Sequence, residues 1–203
     1  SADGGLTWQL VESLWQRSER LEWFGGGYDS PGIHSICPHP TRAGQLLVGI
    51  SCGGAWTSDD DGASWDLTAS GMRADFMPPE QAGNANIQDP HRIVRCPAVP
   101  EAMWCQHHCG IWRTLDAGRS WTAVPDVPRS AFGFAVAVHP ADPQTAWFVP
   151  AIADQCRVPV DAALVVNRTT DGGQRFETLN EGLPARECYH LVYRHGLAVA
   201  DDG

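Results

Sequence analysis

Four carboxylates stand where loop chemistry is expected: Asp29, Asp75, Glu80 and Asp154. Two carboxyl groups facing each other across a pocket hydrolyse glycosidic bonds, one as general acid and one as nucleophile or base. Asp75 and Glu80 share one segment, with Asp29 or Asp154 expected across the mouth, so these four are the catalytic candidates. Trp23, Tyr28, His34, Arg73, His91, Arg92, His107, His108, Arg157 and Asp161 are the ligand-binding candidates. Aromatic, imidazole, guanidinium and carboxylate groups in one place suit a carbohydrate or another polar, anionic small molecule. The plainer reading of each residue alone is a solvated loop group or a salt bridge.

The segment Cys105-Gln106-His107-His108-Cys109-Gly110 holds enough soft and borderline donors for a transition metal. On a strand, Cys105 and His107 point one way and Gln106 and His108 the other. Four ligands therefore cannot converge from it alone, and an ion near His107, His108 and His91 needs helpers such as Asp89 or Asp154. The sequence expectation is no bound metal or other cofactor, with the histidines lining a channel or satisfied by loop hydrogen bonds.

These residues fall on three long connections, 10–32, 68–90 and 150–162. What they connect is set by a repeat. Four segments follow Ser/Thr-x-Asp-x-Gly-x-x-aromatic: SADGGLTW from Ser1, SDDDGASW from Ser58, TLDAGRSW from Thr114 and TTDGGQRF from Thr169. Their aspartates, Asp3, Asp60, Asp116 and Asp171, lie 57, 56 and 55 residues apart. Aspartate at a tight turn accepts from backbone N–H groups one to three residues on. The glycine supplies a positive φ, and the aromatic residue starts the next strand. Each box is therefore a structural hairpin clasp. SDDDG resembles the start of a calcium loop, but the later ligand positions are absent and calcium is not expected there.

Four short strands surround each clasp. HSICPHP, QLLVGIS, AWTSD and SWDLTA make one set, HRIVRCP, AMWCQHH, IWRTL and SWTAV the next, and FGFAVAVHP, TAWFVP, ALVVNRT and RFETL the third. Repeating four-stranded units read as an all-β chain, a β-propeller of antiparallel blades. About three and a half blades are expected: residues 1–12 as the last strand of one, 32–68, 91–125 and 131–180 as whole blades, and 188–203 as the start of another. The expectation is a piece of a ring of six to eight blades, completed by further sequence or by other chains. In a propeller the three long connections share the face opposite the clasps. Long loops in compact domains are often functional, so that face is the expected site.

Composition narrows the partners. The 203 residues carry a formal charge of −10, and an acidic surface repels phosphate backbones, so nucleic acid is not an expected partner. No apolar run is long enough for a membrane span. Seven cysteines, an odd number, read as buried free thiols and favour a cytoplasmic setting, with Cys96 and Cys105 one pair open to oxidation.

The four boxes resemble the Asp-box (BNR) repeats of sialidases, sortilin-type propellers and related glycoside hydrolases. WFGGGYDSPGIHSI, GISCGGAW, GMRADFMPPE, QDPHRIVRCP, SAFGFAVAVHP and CRVPVDAALVV extend the likeness to bacterial sialidase-like, glycosyl-hydrolase-like BNR proteins. The resemblance implies a propeller that binds a glycan, a polar small molecule or a partner protein on its long-loop face, or that acts there as a glycoside hydrolase. Sialidases grip a substrate carboxylate with three arginines and use a tyrosine nucleophile with a glutamate partner. Here Arg157-Val158-Pro159 is the nearest echo of their Arg-Ile-Pro element, and Tyr28, Tyr189 and Tyr193 are the available tyrosines. Alternation places Tyr189 inside a strand, beside Glu187. These departures argue against sialidase chemistry.

Overall fold

The computed structural model describes Ser1 and residues 3–203, and its strands form three separate four-stranded antiparallel sheets. The first runs β1 (Ile33–Pro38), β2 (Leu46–Ile50), β3 (Gly54–Ser58) and β4 (Asp66–Leu67). The second runs β5 (Pro90–Arg95), β6 (Met103–His107), β7 (Gly110–Thr114) and β8 (Thr122–Ala123), and the third β9 (Gly133–Val138), β10 (Ala146–Pro150), β11 (Val166–Thr169) and β12 (Glu177–Leu179). Each strand pairs with the next in sequence, as in the blades of a β-propeller. The first strands, β1, β5 and β9, lie side by side at the centre.

The sequences of the strands follow their depth. Second strands are covered on both faces and read almost wholly apolar, LLVGI and AWFVP, with Leu47 and Phe148 fully buried. Fourth strands are two or three residues long and face solvent at the rim. One core layer fills the gap between the first and second sheets, around Leu47, Met103 and Trp112. Another fills the gap between the second and third, around Trp104, Val136 and Phe148. Polar groups stitch the inner strands as well. The Ile93 N–H donates to Ser35 Oγ at 2.7 Å, and Cys37 Sγ donates to the Ile93 carbonyl at 3.3 Å.

The clasps are built as the residue types require, with a longer reach. Asp60 accepts from the Ser64 N–H and hydroxyl at 2.8 and 2.6 Å, and Asp116 from those of Ser120 at 2.9 and 2.5 Å. The decisive amide is thus four residues on, because two successive residues take left-handed backbone before it. In the second clasp they are Asp61 and Gly62, at φ 57° and 81°; in the third, Ala117 and Gly118, at φ 64° and 94°. The opening hydroxyl closes the turn from the other side, with Gly62 N–H donating to Ser58 Oγ at 2.8 Å. The aromatic residues lock neighbours together. Trp121 Nε1–H crosses to the first sheet's exit and donates to the Thr68 carbonyl at 2.9 Å.

Both ends differ from the sequence expectation. Among the described residues before Glu12 there is no strand, and a one-turn helix, α1 (Glu12–Trp15), comes next. Residues 188–203 carry no strand either, and Tyr189 is exposed rather than buried by alternation. Neither segment has a partner strand among the described residues, and an unpaired strand leaves its backbone groups without hydrogen bonds. All seven cysteines are free thiols, five of them buried.

The hydroxyl of Thr7 draws the Asp3 carboxyl down to about 2, and hydrogen bonds hold Asp60, Asp116 and Asp171 below their usual range. For Asp116, burial pushes upward and the Ser120 and Thr114 bonds outweigh it. A folded value below the unfolded one stabilises above the unfolded pKa, and that stability is lost as pH falls through the folded one. Acid unfolding should therefore steepen below about pH 4, and Asp116→Asn should flatten that limb. Losing the turn's bonds through Asp116→Ala should cost about 1–2 kcal/mol by urea denaturation at neutral pH. Gly118→Ala should cost about as much, because a methyl there meets strained backbone and lies 2.8 Å from Leu47 Cδ1.

Candidate functional site

The loop face gathers its chemistry where β5 begins. Asp89 precedes β5 and is 1% exposed, and every polar group it has is engaged. Its Oδ1 accepts from Ser51 Oγ at 2.9 Å, across from the β2–β3 turn. Its carbonyl accepts from the His108 N–H at 3.0 Å, and its own N–H donates to His107 Nε2 at 2.9 Å. Oδ2 faces two imidazoles, His91 Nε2 at 3.5 Å and His108 Nδ1 at 3.3 Å. Burial pushes the carboxyl up, but His108 and His91 more than offset it and hold it well below the carboxylate range.

Each imidazole has its own support. His91 Nδ1–H donates to the Gly133 carbonyl on β9 at 2.7 Å, so its Nε2 is the nitrogen turned to Asp89. Its ring stacks on Phe134, 4.3 Å between centroids and 11° between planes. His108 lies edge-on to Phe76 and Phe132. His107 is fully buried, with the amide of Cys109 3.0 Å from its Nδ1. Burial takes its pKa down to about 3, so the ring is neutral and able to accept from the backbone. It is a brace under the site.

A cavity of about 530 Å³ opens beside Asp89. Its walls come from the first long loop (Tyr28), the inner strands (His34, His91, Phe134), the β10–β11 loop (Arg157) and the C-terminal segment (Tyr193, Arg194). Arg157 and Arg194 both place their guanidinium carbon 5.4 Å from the Phe134 ring centre. Asp154 accepts from Arg157 Nε at 3.0 Å. Burial, and then the charge of Arg194, lower His34 to about 4. Among the described residues, the sole carboxylate on this wall is Asp89.

The structure thus draws together Tyr28, His34, His91 and Arg157 around the cavity, with His108 behind Asp89. It does not draw together the four catalytic candidates. Asp75 is exposed and pairs with exposed Arg73 at 3.2 Å, while Glu80 and Asp29 stand in solvent. Asp154 is held by Arg157. Trp23 packs edge-on against Trp56, and its Nε1–H donates to Asn86 Oδ1 at 2.7 Å, so it anchors the first loop. Arg92 donates to the carbonyls of Arg194 and Leu197, tying down the C-terminal segment. Asp161 sits beside Arg129 at the rim. Sequence reasoning left out Ser51, Phe134 and Arg194. The Gly25-Gly26-Gly27 run carried the available signal. A Cβ on Gly26 would fall 2.8 Å from both Ser51 Oγ and Cys52 Sγ and 3.1 Å from Asp89 Oδ2, so only glycine lets the loop pass.

No protein-family model matches the sequence, and no curated protein matches it. Solved structures do. An ancestral GH74 enzyme is 14% identical with a TM-score of 0.53, covering 76% of this chain and 19% of its own. The GH74 enzyme of Niastella koreensis is 16% identical with a TM-score of 0.57, covering 88% of this chain and 25% of its own. This chain therefore spans a quarter or less of the length of either. At such identities the likeness establishes the shared fold.

Removing the brace should loosen the whole site. His107→Ala leaves a buried void and takes away the acceptor of the Asp89 amide. It should cost about 3 kcal/mol in denaturant unfolding and speed hydrogen exchange at that amide.

Proposed function

We propose that the cavity beside Asp89 binds an anionic, hydroxyl-bearing small molecule, the chemical class of the acidic sugars. One observation carries this reading: two guanidiniums, Arg194 and the Asp154-paired Arg157, stand against Phe134 on the wall of a cavity whose one carboxylate among the described residues, Asp89, is already engaged. In a chain of formal charge −10, a cationic wall is a local exception that favours an anion. Guanidiniums grip a carboxylate through paired N–H groups. Tyr28 and Tyr193 offer hydroxyls and ring faces, and neutral His34 offers one donor and one acceptor for sugar hydroxyls. Among the described residues no pair of carboxylates lines the cavity, so the geometry favours binding over hydrolysis by an acid and a nucleophile.

Calorimetric titration with glucuronate and with glucose tests this. Glucuronate should bind and glucose should not. Arg194→Ala and Arg157→Ala should each weaken glucuronate at least tenfold, about 1.4 kcal/mol, and added salt should weaken it further. Equal binding of the two sugars, or arginine variants with unchanged affinity, would reject the reading.

A further inference from the structure

The structure assigns a divalent transition-metal site to Asp89, His91 and His108, with Oδ2, Nε2 and Nδ1 as the ligand atoms. These three atoms all lie within 4.8 Å of one another. Two edges of the triangle are 3.3 and 3.5 Å. A tetrahedral ion held at about 2.1 Å sets its ligand atoms about 3.4 Å apart, and the two edges from Asp89 match that spacing.

The surroundings favour an ion as well. A carbonyl only accepts, so the Gly133 carbonyl fixes the proton of a neutral His91 on Nδ1 and turns the Nε2 lone pair toward Asp89. Histidine ligands are commonly oriented through their other ring nitrogen in this way. Ser51 Oγ occupies Oδ1 and leaves Oδ2 for the ion. His108 Nδ1 is buried and has no hydrogen-bond partner among the described residues. Two imidazoles and one carboxylate suit zinc(II) or iron(II) rather than calcium or magnesium, which prefer oxygen ligands. Three protein ligands leave a further position open. Asp89 and His91 line the large cavity, and Asp89 and His108 line a smaller one with Phe76 and Asp154, so the site lies between two cavities.

The test uses the full chain, freed of metal by dialysis against a chelator. Calorimetry with zinc(II) alone should show one equivalent bound, tighter than 10-fold below millimolar, and zinc should raise the melting temperature. His108→Ala, at a partly exposed position, should keep the fold by circular dichroism and weaken zinc at least 100-fold, beyond the roughly 10- to 100-fold that loss of a group supporting a ligand costs. His190→Ala, at an exposed histidine elsewhere, should bind as the parent does. Cobalt(II) substituted for zinc should give the intense visible bands of a tetrahedral ion. A folded His108→Ala protein that binds zinc within threefold of the parent would overturn the assignment. So would binding weaker than millimolar, or a thiolate-to-cobalt charge-transfer band, which would place the ion on cysteines.

Discussion

A buried carboxylate with no free hydrogen-bonding group organises the loop face. Asp89 is anchored through Oδ1 to the β2–β3 turn, through its carbonyl and N–H to the β6–β7 region, and through Oδ2 to the imidazoles of His91 and His108. A charge removed from water is costly unless partners surround it, and here the partners come from two different blades. Satisfying that one charge fixes how the first sheet meets the second at the mouth. Gly26 presses the first long loop onto the same oxygen, so the loop's path is set by the carboxylate too.

The two faces solve the same problem in opposite ways. On the clasp face, each aspartate finds its donors within four residues, and each turn is complete by itself. Such turns repeat along the chain with little regard to their neighbours. On the loop face, His91 depends on Gly133 and Phe134 of the next blade, and Asp89 on Ser51 of the previous one. Only the second arrangement makes a site, because its groups are placed by packing between blades. The apolar second strands of the first and third sheets make that packing rigid, since a strand buried on both faces has one register that keeps polar groups out of the core.

This difference decides what could be read from the sequence. The repeat, the strands and their order were legible, because turn chemistry and apolar runs are local signals. The shared face of the long connections followed from topology alone. His91, His108, His34, Tyr28 and Arg157 were legible as residues of that face, but their partners were not. Nothing in the order of residues says that Gly133 lies 2.7 Å from His91 Nδ1, or that Phe134 carries two arginines. Asp75 and Glu80 mislead for the same reason: their loop is long and acidic, but Arg73 neutralises Asp75 at the surface, and no wall encloses either. Trp23 and Arg92 have the chemistry of ligand contacts and use it on Asn86 and on the C-terminal segment. A polar group next to a cavity has to be weighed against every internal partner within reach, and those partners are set in three dimensions.

Phe134 shows how far that coupling extends. One face-stacked imidazole, two guanidiniums and the Tyr193 ring surround it. The adjacent carbonyl, that of Gly133, fixes the His91 proton. A single dipeptide at the start of β9 therefore sets the orientation of His91, the position of the cationic wall, and the side of the cavity on which Arg157 and Arg194 stand. If the third blade turned relative to the second, His91 Nε2 would leave Asp89 as the two guanidiniums moved with Phe134. The carboxylate and the arginines of the cavity wall are thus not independent features. They are joined through the angle between two blades, and the Trp104, Val136 and Phe148 layer between those blades holds that angle.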